Sequence, residues 1–420
     1  MVLVQASSLS SGSAGCSRLA EVGSSRSTTC KLLRRRQFSN ERALLYSNRS
    51  NGCAVDSIRQ RRCVMASANS EQPLNVDYRS KEPKDIKVVV FGATGYIGRF
   101  VVKELINRGY NVIAVARERS GVGGKQSAQE VEKNFEGARV RFGDVTDINS
   151  LEKSVFSEDV DVIVSCLASR TGGIKDSWLI DYQATANALE AGRRHGAKHF
   201  VLLSAICVQK PLLEFQRAKL KFESLLQEAG DITYSIVRPT AFFKSLAGQV
   251  QLVKDGKPYV FFGDGRLAAC KPISESDLAS FIADCVVKPD LANRVLPIGG
   301  PGVALTARDQ ADMLFRIVGK DPKYFPVPVA LMDGMIGIFD FLAGIFPALE
   351  DSAEFAKIGK YYATESMLVW DAKTQQYMAD ETPSYGTDTL EDFFKNAVKE
   401  GGLKGQDLGD AAVFGVGRET

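Results

Sequence analysis

Two residues one helical turn apart, Phe215 and Lys219, pose the first chemical question in this sequence. They belong to "PLLEFQRAKLKFESLLQEAG" (211–230), whose leucines and Phe222 form the apolar stripe of an amphipathic helix. Enzymes that reduce a carbonyl group often place a tyrosine, the proton donor, one helical turn before such a lysine. Phenylalanine has no proton to give. The pair therefore fits an inactive enzyme, a binding protein, or a reductase whose substrate needs no tyrosine.

Ser204 and Lys219 are the candidate catalytic residues. Ser204 stands at the end of a predicted strand, in "LLSAI" (202–206), where a serine hydroxyl can orient a reacting group. Lys219 could hold the ribose of a nicotinamide cofactor, although a lysine on a helix is most often simply solvated. Its spacing from Ser204, and the entry of "VRPTAFF" (237–243) from the next strand, favour the catalytic interpretation.

The segment "GATGYIG" (92–98) carries three glycines at intervals of three residues, between a predicted strand and a predicted helix. Glycine lets the backbone turn tightly and approach a pyrophosphate held at the helix N-terminus. A tight turn without a ligand is the alternative, but dinucleotide binding requires this strand and this helix. The residues predicted to contact the cofactor are Gly92, Thr94, Gly95, Tyr96, Ile97 and Gly98.

The end of the second predicted strand, "AVARERSG" (114–121), indicates which dinucleotide binds. Enzymes that use NAD place an acid here to bond the ribose 2′-hydroxyl, whereas this chain has Arg117 and Arg119, followed by Lys125. A guanidinium suits a 2′-phosphate. The sequence therefore predicts NADPH, unless these cations form a solvated basic loop.

Two further strand ends complete the predicted cofactor site. "FGDVTD" (142–147) places Asp144 and Val145 where such sheets approach the adenine, and "SCLAS" (165–169) lies beneath the ribose. Either segment could instead be an ordinary strand end.

A parallel sheet is needed to bring these residues together. Continuous Val/Ile runs alternate with helical segments, which predicts a doubly wound α/β sheet covered on both faces. The predicted strands cover 86–93, 111–117, 138–144, 160–168, 198–205 and 232–240, and the clearest helices cover 96–109 and 182–196. We expect an NADP-binding, Rossmann-like domain over 84–300, a C-terminal portion over 301–400 and a tail over 401–420.

The most apolar stretch of the chain is "VALMDGMIGIFDFLAGIFPAL" (329–349). Its length suggests a membrane span, but Asp333, Asp340 and three glycines argue against one. We expect a buried or pocket-lining helix, with a peripheral membrane contact as the alternative.

The first 70 residues differ in composition from the rest. They hold eleven Lys or Arg and three acidic residues, so a chain of net charge +3 carries −5 over its other 350 residues. This distribution argues against a nucleic-acid binder, which would concentrate positive charge on its folded part. An Arg- and Ser-rich segment with few acids is typical of an organelle transit peptide, here over residues 1–66; a disordered basic tail is the alternative. Composition alone leaves plastid and mitochondrion open.

Four cysteines would remain after removal of residues 1–66, namely Cys166, Cys207, Cys270 and Cys285. They show no CxxC pattern, which predicts buried thiols in a reducing compartment. The chain has only two histidines. We therefore expect no metal site.

Five segments together carry a family resemblance: "GATGYIG", "LLSAI", "FQRAK" (215–219), "IVRPTAFF" (236–243) and "FFGDGR" (261–266). They resemble the atypical short-chain dehydrogenase/reductases, the NmrA-like and isoflavone-reductase-like group. Over roughly residues 75–400 the chain more closely resembles the plant divinyl chlorophyllide 8-vinyl reductases. The glycine motif is common to many relatives, whereas Phe215, the long segment after residue 300 and the transit-like N-terminus are more specific.

The resemblance implies an oxidoreductase of chlorophyll biosynthesis, and so of photosynthesis, in plastids. It implies that NADPH reduces the 8-vinyl group of divinyl chlorophyllide or protochlorophyllide to ethyl. A conjugated vinyl group has no oxygen to protonate, so a missing tyrosine is compatible with catalysis, with Lys219 fixing the ribose or relaying a proton. The tetrapyrrole carries its own Mg²⁺ and needs a broad apolar surface, for which Phe242, Phe243 and 329–349 are the candidates.

Two alternatives stay open. One is a non-catalytic NADP-binding regulator of the NmrA-like type, which we would expect to lack Lys219 as well as the tyrosine. The other is a plastid reductase of a smaller aromatic substrate.

Overall fold

The structure is a computed structural model that describes residues 77–120 and 127–399. The strands are β1 (Lys87–Phe91), β2 (Asn111–Ala116), β3 (Arg139–Phe142), β4 (Val162–Ser165), β5 (His199–Leu203), β6 (Thr233–Pro239), β7 (Tyr259–Phe262), β8 (Ala269–Cys270), β9 (Arg294–Ile298), β10 (Leu305–Thr306), β11 (Tyr324–Val327), β12 (Val369–Asp371) and β13 (Gln376–Met378). The helices are α1 (Gly98–Asn107), α2 (Ala128–Asn134), α3 (Ile148–Ser154), α4 (Ile174–Asp176), α5 (Thr185–Arg194), α6 (Glu214–Glu228), α7 (Phe243–Leu246), α8 (Val250–Lys254), α9 (Glu275–Val287), α10 (Ala307–Val318), α11 (Val329–Ile345), α12 (Glu350–Thr364) and α13 (Leu390–Lys399). A π-helical segment, Ser177–Ala184, joins α4 to α5.

Seven strands form one sheet in the order β3-β2-β1-β4-β5-β6-β9, and all neighbouring strands are parallel. The predicted doubly wound fold is confirmed, and each of the six predicted strands is present. The seventh, β9, was not predicted and extends the sheet beside β6. From β1 the strands are added on one side as β2 and β3, and from β4 onwards they are added on the other side of β1. Such a reversal opens a crevice at the carboxyl ends of the strands, where ligands of these sheets bind.

Helices cover both faces of the sheet because β1 and its neighbours are apolar on both sides. Val88 and Val90 pack into a core that contains α1 and α9, whereas Val89 and Phe91 pack with α3, α5 and α6. All four of these β1 side chains are fully buried. The continuous apolar run thus fixes β1 at the centre of the sheet.

The C-terminal part of the chain shares cores with the part before it. Helices α10 and α13 pack with α8 and β7 in a third cluster, and β11 pairs in parallel with β7. Helix α12 contributes to a fourth cluster that also holds the start of α6. The two expected portions, 84–300 and 301–400, are therefore joined by common packing.

Helix α11 corrects the expectation for residues 329–349. Within it only Met332 is buried, and Ile338 and Phe341 are 61% and 70% exposed. Its aspartates point to α12, where Asp333 pairs with Lys360 at 2.5 Å and Asp340 with Lys357 at 2.8 Å. The polar side of the helix thus faces its neighbour and an apolar side faces outwards, so the prediction of a buried helix is wrong.

None of the helices in 77–120 and 127–399 combines the length and the apolar character that a bilayer crossing needs. The four cysteines of the folded part are free and buried, as predicted. The proposed transit segment 1–66, Lys125 and the tail 401–420 lie outside the described residues.

Candidate active site

The turn between β1 and α1 can be built only with glycine. Gly92 has φ of +72°, and a Cβ atom there would lie 2.7 Å from the carbonyl oxygen of Cys166. A Cβ on Gly98 would lie 2.0 Å from the carbonyl oxygen of Gly92. The backbone therefore passes close to β4 and closes tightly on the start of α1. This is the cradle that a dinucleotide pyrophosphate requires.

A cavity of about 1050 Å³ opens beside this turn, at the carboxyl ends of the strands. Its wall brings together almost all the residues predicted to hold the cofactor. They are Gly92, Thr94, Gly95, Tyr96, Ile97, Arg117, Asp144 and Val145. Gly98 lies beneath the turn, outside the wall, and its role is to allow the close backbone approach.

The end of β2 presents charges of both signs to the cavity. Arg117 lies in the wall, and so does Glu118, which the sequence analysis did not consider; Arg119 does not. At the end of β3, Asp144 accepts hydrogen bonds from the amide and the hydroxyl of Thr146, at 2.9 and 2.7 Å. The Asp144 carboxylate thus stabilises the turn that follows its strand.

Lys219 is not a solvated helix lysine. Its side chain is 10% exposed, and its Nζ lies 2.9 Å from Oδ1 of Asp181, whose side chain is 1% exposed. The other oxygen of Asp181 accepts the amide of Ser169 at 3.3 Å. Both residues line the cavity. The structure therefore gives the predicted lysine a buried carboxylate partner that fixes the position of its charge.

Asp181 is a residue that the sequence analysis missed. It lies in the π-helical segment before α5, and such wider turns are rare and frequently occur at functional sites. Neither the spacing nor the periodicity of the sequence marks such a segment. Only the fold brings Asp181 to Lys219.

Phe215 and Ser204 stand in the same wall as Lys219. Phe215 is 9% exposed and packs with apolar residues of α12, so no polar group replaces the missing phenol at this position. The hydroxyl of Ser204 donates to the carboxylate of Glu223, which also forms an ion pair with Arg238. Ser204 is thus held in the wall by a buried carboxylate that accepts the hydrogen bond of its hydroxyl.

The two adjacent phenylalanines after β6, Phe242 and Phe243, lie in different surroundings. Phe242 lines the cavity, and its ring lies 6.3 Å from that of Tyr96. Phe243 begins α7 and is buried in the third core, 5.6 Å from the ring of Phe393. Phe242 thus lies in the wall of this cavity and Phe243 does not, and the contact of Phe242 with substrate stays a prediction.

Helix α12 closes the apolar side of the cavity with Ile358 and Tyr362. Neither residue was identified from the sequence, because nothing in the pattern of residues 350–364 links this helix to the sheet. The expected contribution of the C-terminal portion to the cavity thus comes from α12 rather than from α11.

The thiols near the cavity are not nucleophiles. Burial raises the pKa of Cys166 to about 12 and that of Cys207 to about 11, so both stay protonated at neutral pH. Among the described residues, no group of three or more His, Cys, Asp or Glu side chains is arranged to hold a metal ion.

Comparison with known proteins agrees with this geometry. A family model described as NAD(P)H-binding matches residues 92–289. The chain is 62% identical over 364 residues to the divinyl chlorophyllide a 8-vinyl-reductase, chloroplastic, of Cucumis sativus. The aligned residues cover 85% of this chain and 87% of that protein. It is 62% identical over 348 residues to the protein of the same name from Arabidopsis thaliana, with 81% and 83% covered. An NADPH-dependent quinone oxidoreductase of Escherichia coli, whose structure was solved with NADPH, has a similar fold, with a TM-score of 0.52. The two sequences are 16% identical, and the match covers 74% of this chain and 99% of that one.

Proposed function

This chain belongs to the divinyl chlorophyllide a 8-vinyl-reductase family, and we propose that it uses NADPH to reduce the 8-vinyl group of divinyl chlorophyllide, or of its protochlorophyllide counterpart, to ethyl. It is an oxidoreductase of chlorophyll biosynthesis in the chloroplast. One observation carries the assignment to this cavity. The cavity holds a dinucleotide cradle and a buried Lys219–Asp181 pair, and a phenylalanine stands where carbonyl reductases keep their acid.

The described residues fit a nicotinamide dinucleotide. The glycine turn leaves room for a pyrophosphate at the start of α1, and the ends of β2 and β3 supply the wall for the adenosine half. Lys219 lies beyond them, where it can bond the nicotinamide ribose. NADPH supplies a hydride when bound.

The choice of NADPH over NADH rests on Arg117. Its guanidinium can bond a 2′-phosphate, and a contact of this charge-assisted kind is worth about 1.5–3 kcal/mol. Glu118 in the same wall is the residue that could instead accept a ribose 2′-hydroxyl. We propose that Arg117 determines the preference.

The apolar character of Phe215 suits a carbon–carbon double bond. A carbonyl oxygen gains negative charge during reduction and needs a donor beside it, whereas a conjugated vinyl group spreads that charge into the macrocycle. A buried hydroxyl at position 215 would have no partner on such a substrate, which costs about 1–3 kcal/mol. Phe215, Phe242 and Ile358 offer the flat ring apolar contacts instead.

The ion pair with Asp181 fixes the position of the Lys219 ammonium group. A positive charge near the substrate stabilises electron density that moves into the ring during hydride addition. Ser204, bound to Glu223, maintains the shape of the wall and is a positioning residue.

The test is conversion by the purified full-length protein. Divinyl chlorophyllide a is incubated with NADPH, and the expected result is a blue shift of the Soret band and a product heavier by two hydrogen atoms. Absence of conversion by a protein that binds NADPH would contradict the proposal and support the non-catalytic regulator.

A further inference from the structure

Tyr362 gives the cavity a phenol from a different element than the one that carries Phe215. It lies on α12, one turn after Ile358, and both line the cavity with Lys219 and Asp181. Tyr362 is 39% exposed, yet its surroundings of protein raise the pKa of the phenol well above its usual value. Because Tyr362 lines the cavity, its side chain is accessible from the cavity.

The neighbours of the phenol belong to the same site. The Cys207 thiol and the Asp181 carboxylate both lie near enough to the Tyr362 phenol to raise its pKa. The Cys207 sulfur in turn lies within the field of the Lys219 ammonium. A thiol is a weak hydrogen-bond partner, so it competes little with a substrate for the phenol.

Helix α12 is held firmly in this place. The Glu354 carboxylate accepts the amide of Glu214 at 2.8 Å, at the start of α6, and Asp351 accepts the amide of Ile174 at 3.2 Å. The hydroxyl of Tyr361 donates to the carbonyls of Cys207 and Lys210, at 2.9 and 3.2 Å. Tyr362 is therefore fixed relative to α6, which carries Lys219.

Two other hydroxyl groups of the wall are bound to carboxylates. Ser204 donates to the carboxylate of Glu223, and Tyr96 donates to the carboxylate of Glu275. The ammonium of Lys219 is paired with Asp181. Carboxylates thus hold Ser204, Tyr96 and Lys219 in place, and each of these groups is committed to its partner.

We propose that Tyr362 donates the proton that completes reduction of the vinyl group, in place of the tyrosine that position 215 lacks. The inference rests on the proposed function. Hydride adds to the terminal carbon, and the π-electron pair moves to the inner carbon and into the ring. The phenol O–H bond then breaks, a C–H bond forms at the inner carbon, and a solvent proton later restores the phenol.

The chemistry requires a donor that is protonated before hydride arrives. A phenol whose pKa is raised by the surrounding protein meets this condition at neutral and alkaline pH. It still yields its proton to a carbanion, which is a much stronger base than a phenolate. The substrate, not the protein, thus provides the driving force for the transfer.

The experiment compares full-length Tyr362→Phe with the adjacent Tyr361→Phe, which loses hydrogen bonds to main-chain carbonyls only. For Tyr362→Phe we expect kcat to fall at least about 100-fold, the low end for a general acid. The Kd for NADPH, read by fluorescence, and the melting temperature should stay close to those of the wild type. The solvent deuterium isotope effect on kcat should rise, because protonation becomes rate-limiting.

The Tyr361→Phe control should melt at a lower temperature and keep the wild-type solvent isotope effect. A folded Tyr362→Phe protein with wild-type kcat and an unchanged solvent isotope effect would overturn the inference alone. Absence of vinyl reduction by the wild-type protein would overturn the proposed function and this inference with it.

Discussion

The buried ion pair between Lys219 and Asp181 can be tested by removing each charge separately and then both together. The three proteins are Asp181→Asn, Lys219→Met and the double variant. Each single change leaves one charge in the wall with no partner, whereas the double change leaves none. The pair is well suited to this test because its two side chains are only 10% and 1% exposed.

The magnitudes follow from burial. Removing one member of a buried pair costs about 3–5 kcal/mol, because the remaining charge is uncompensated, whereas replacing both with neutral groups is often close to neutral. A chain of this size loses roughly 2 °C in melting temperature per kcal/mol, so each single variant should melt about 6–10 °C lower. The double variant should recover most of that loss.

Activity should behave differently from stability. Without the Lys219 ammonium, kcat should fall at least about 100-fold in both Lys219→Met and the double variant. Asp181→Asn should show an intermediate loss, since the lysine is present but no longer fixed. The assays are thermal melts and steady-state kinetics with NADPH and divinyl chlorophyllide a. A double variant with both wild-type stability and wild-type kcat would refute the assigned role of the pair.

Three further predictions concern the cofactor, the substrate and the fold. Arg117→Ala should raise the KM for NADPH roughly 10- to 150-fold and leave weak NADH use unchanged. The neighbouring control Glu118→Gln should leave the KM for NADPH unchanged. Equal losses for both cofactors in Arg117→Ala would show that the arginine is structural. Phe215→Tyr should give no faster turnover in the vinyl-reduction assay, since the substrate presents no oxygen, and a faster variant would contradict the account of the missing tyrosine. Burial lowers the pKa of His199 to about 3, below the ordinary value of 6.5, so the unfolded chain takes up a proton first as the pH falls. The free energy of unfolding should therefore keep the full contribution of His199 above pH 6.5 and lose it towards pH 3, by up to about 1.4 kcal/mol per pH unit. Denaturant unfolding at several pH values should show a weaker pH dependence of this free energy in His199→Gln.

The sheet and the cofactor cradle could be predicted from the sequence because local rules determine them. Continuous apolar runs specify strands buried on both faces, and the glycines of 92–98 specify a turn that only they can form. Lys219 could be placed by its spacing from the strand end at Ser204. Its partner Asp181 could not, because the π-helical segment that carries it has no sequence signature.

The errors arose where tertiary packing decides the outcome. Hydropathy identified helix α11 but could not tell which way its apolar side faces, and the Asp–Lys pairs with α12 turned that side outwards. Phe242 and Phe243 are equally apolar, but they flank the start of α7 and diverge into the cavity and the third core. Tyr362 reaches the cavity only through the docking of α12 on α6, which is set by contacts between residues far apart in sequence.

The most direct test of the central claim follows the hydride itself. Full-length protein is given divinyl chlorophyllide a and NADPH deuterated at the transferable position of the nicotinamide, and the product is analysed by mass spectrometry and NMR. The account predicts an 8-ethyl product with one deuterium on its terminal carbon and one solvent-derived hydrogen on its inner carbon. A product without deuterium, deuterium at another site of the macrocycle, or no product would contradict it.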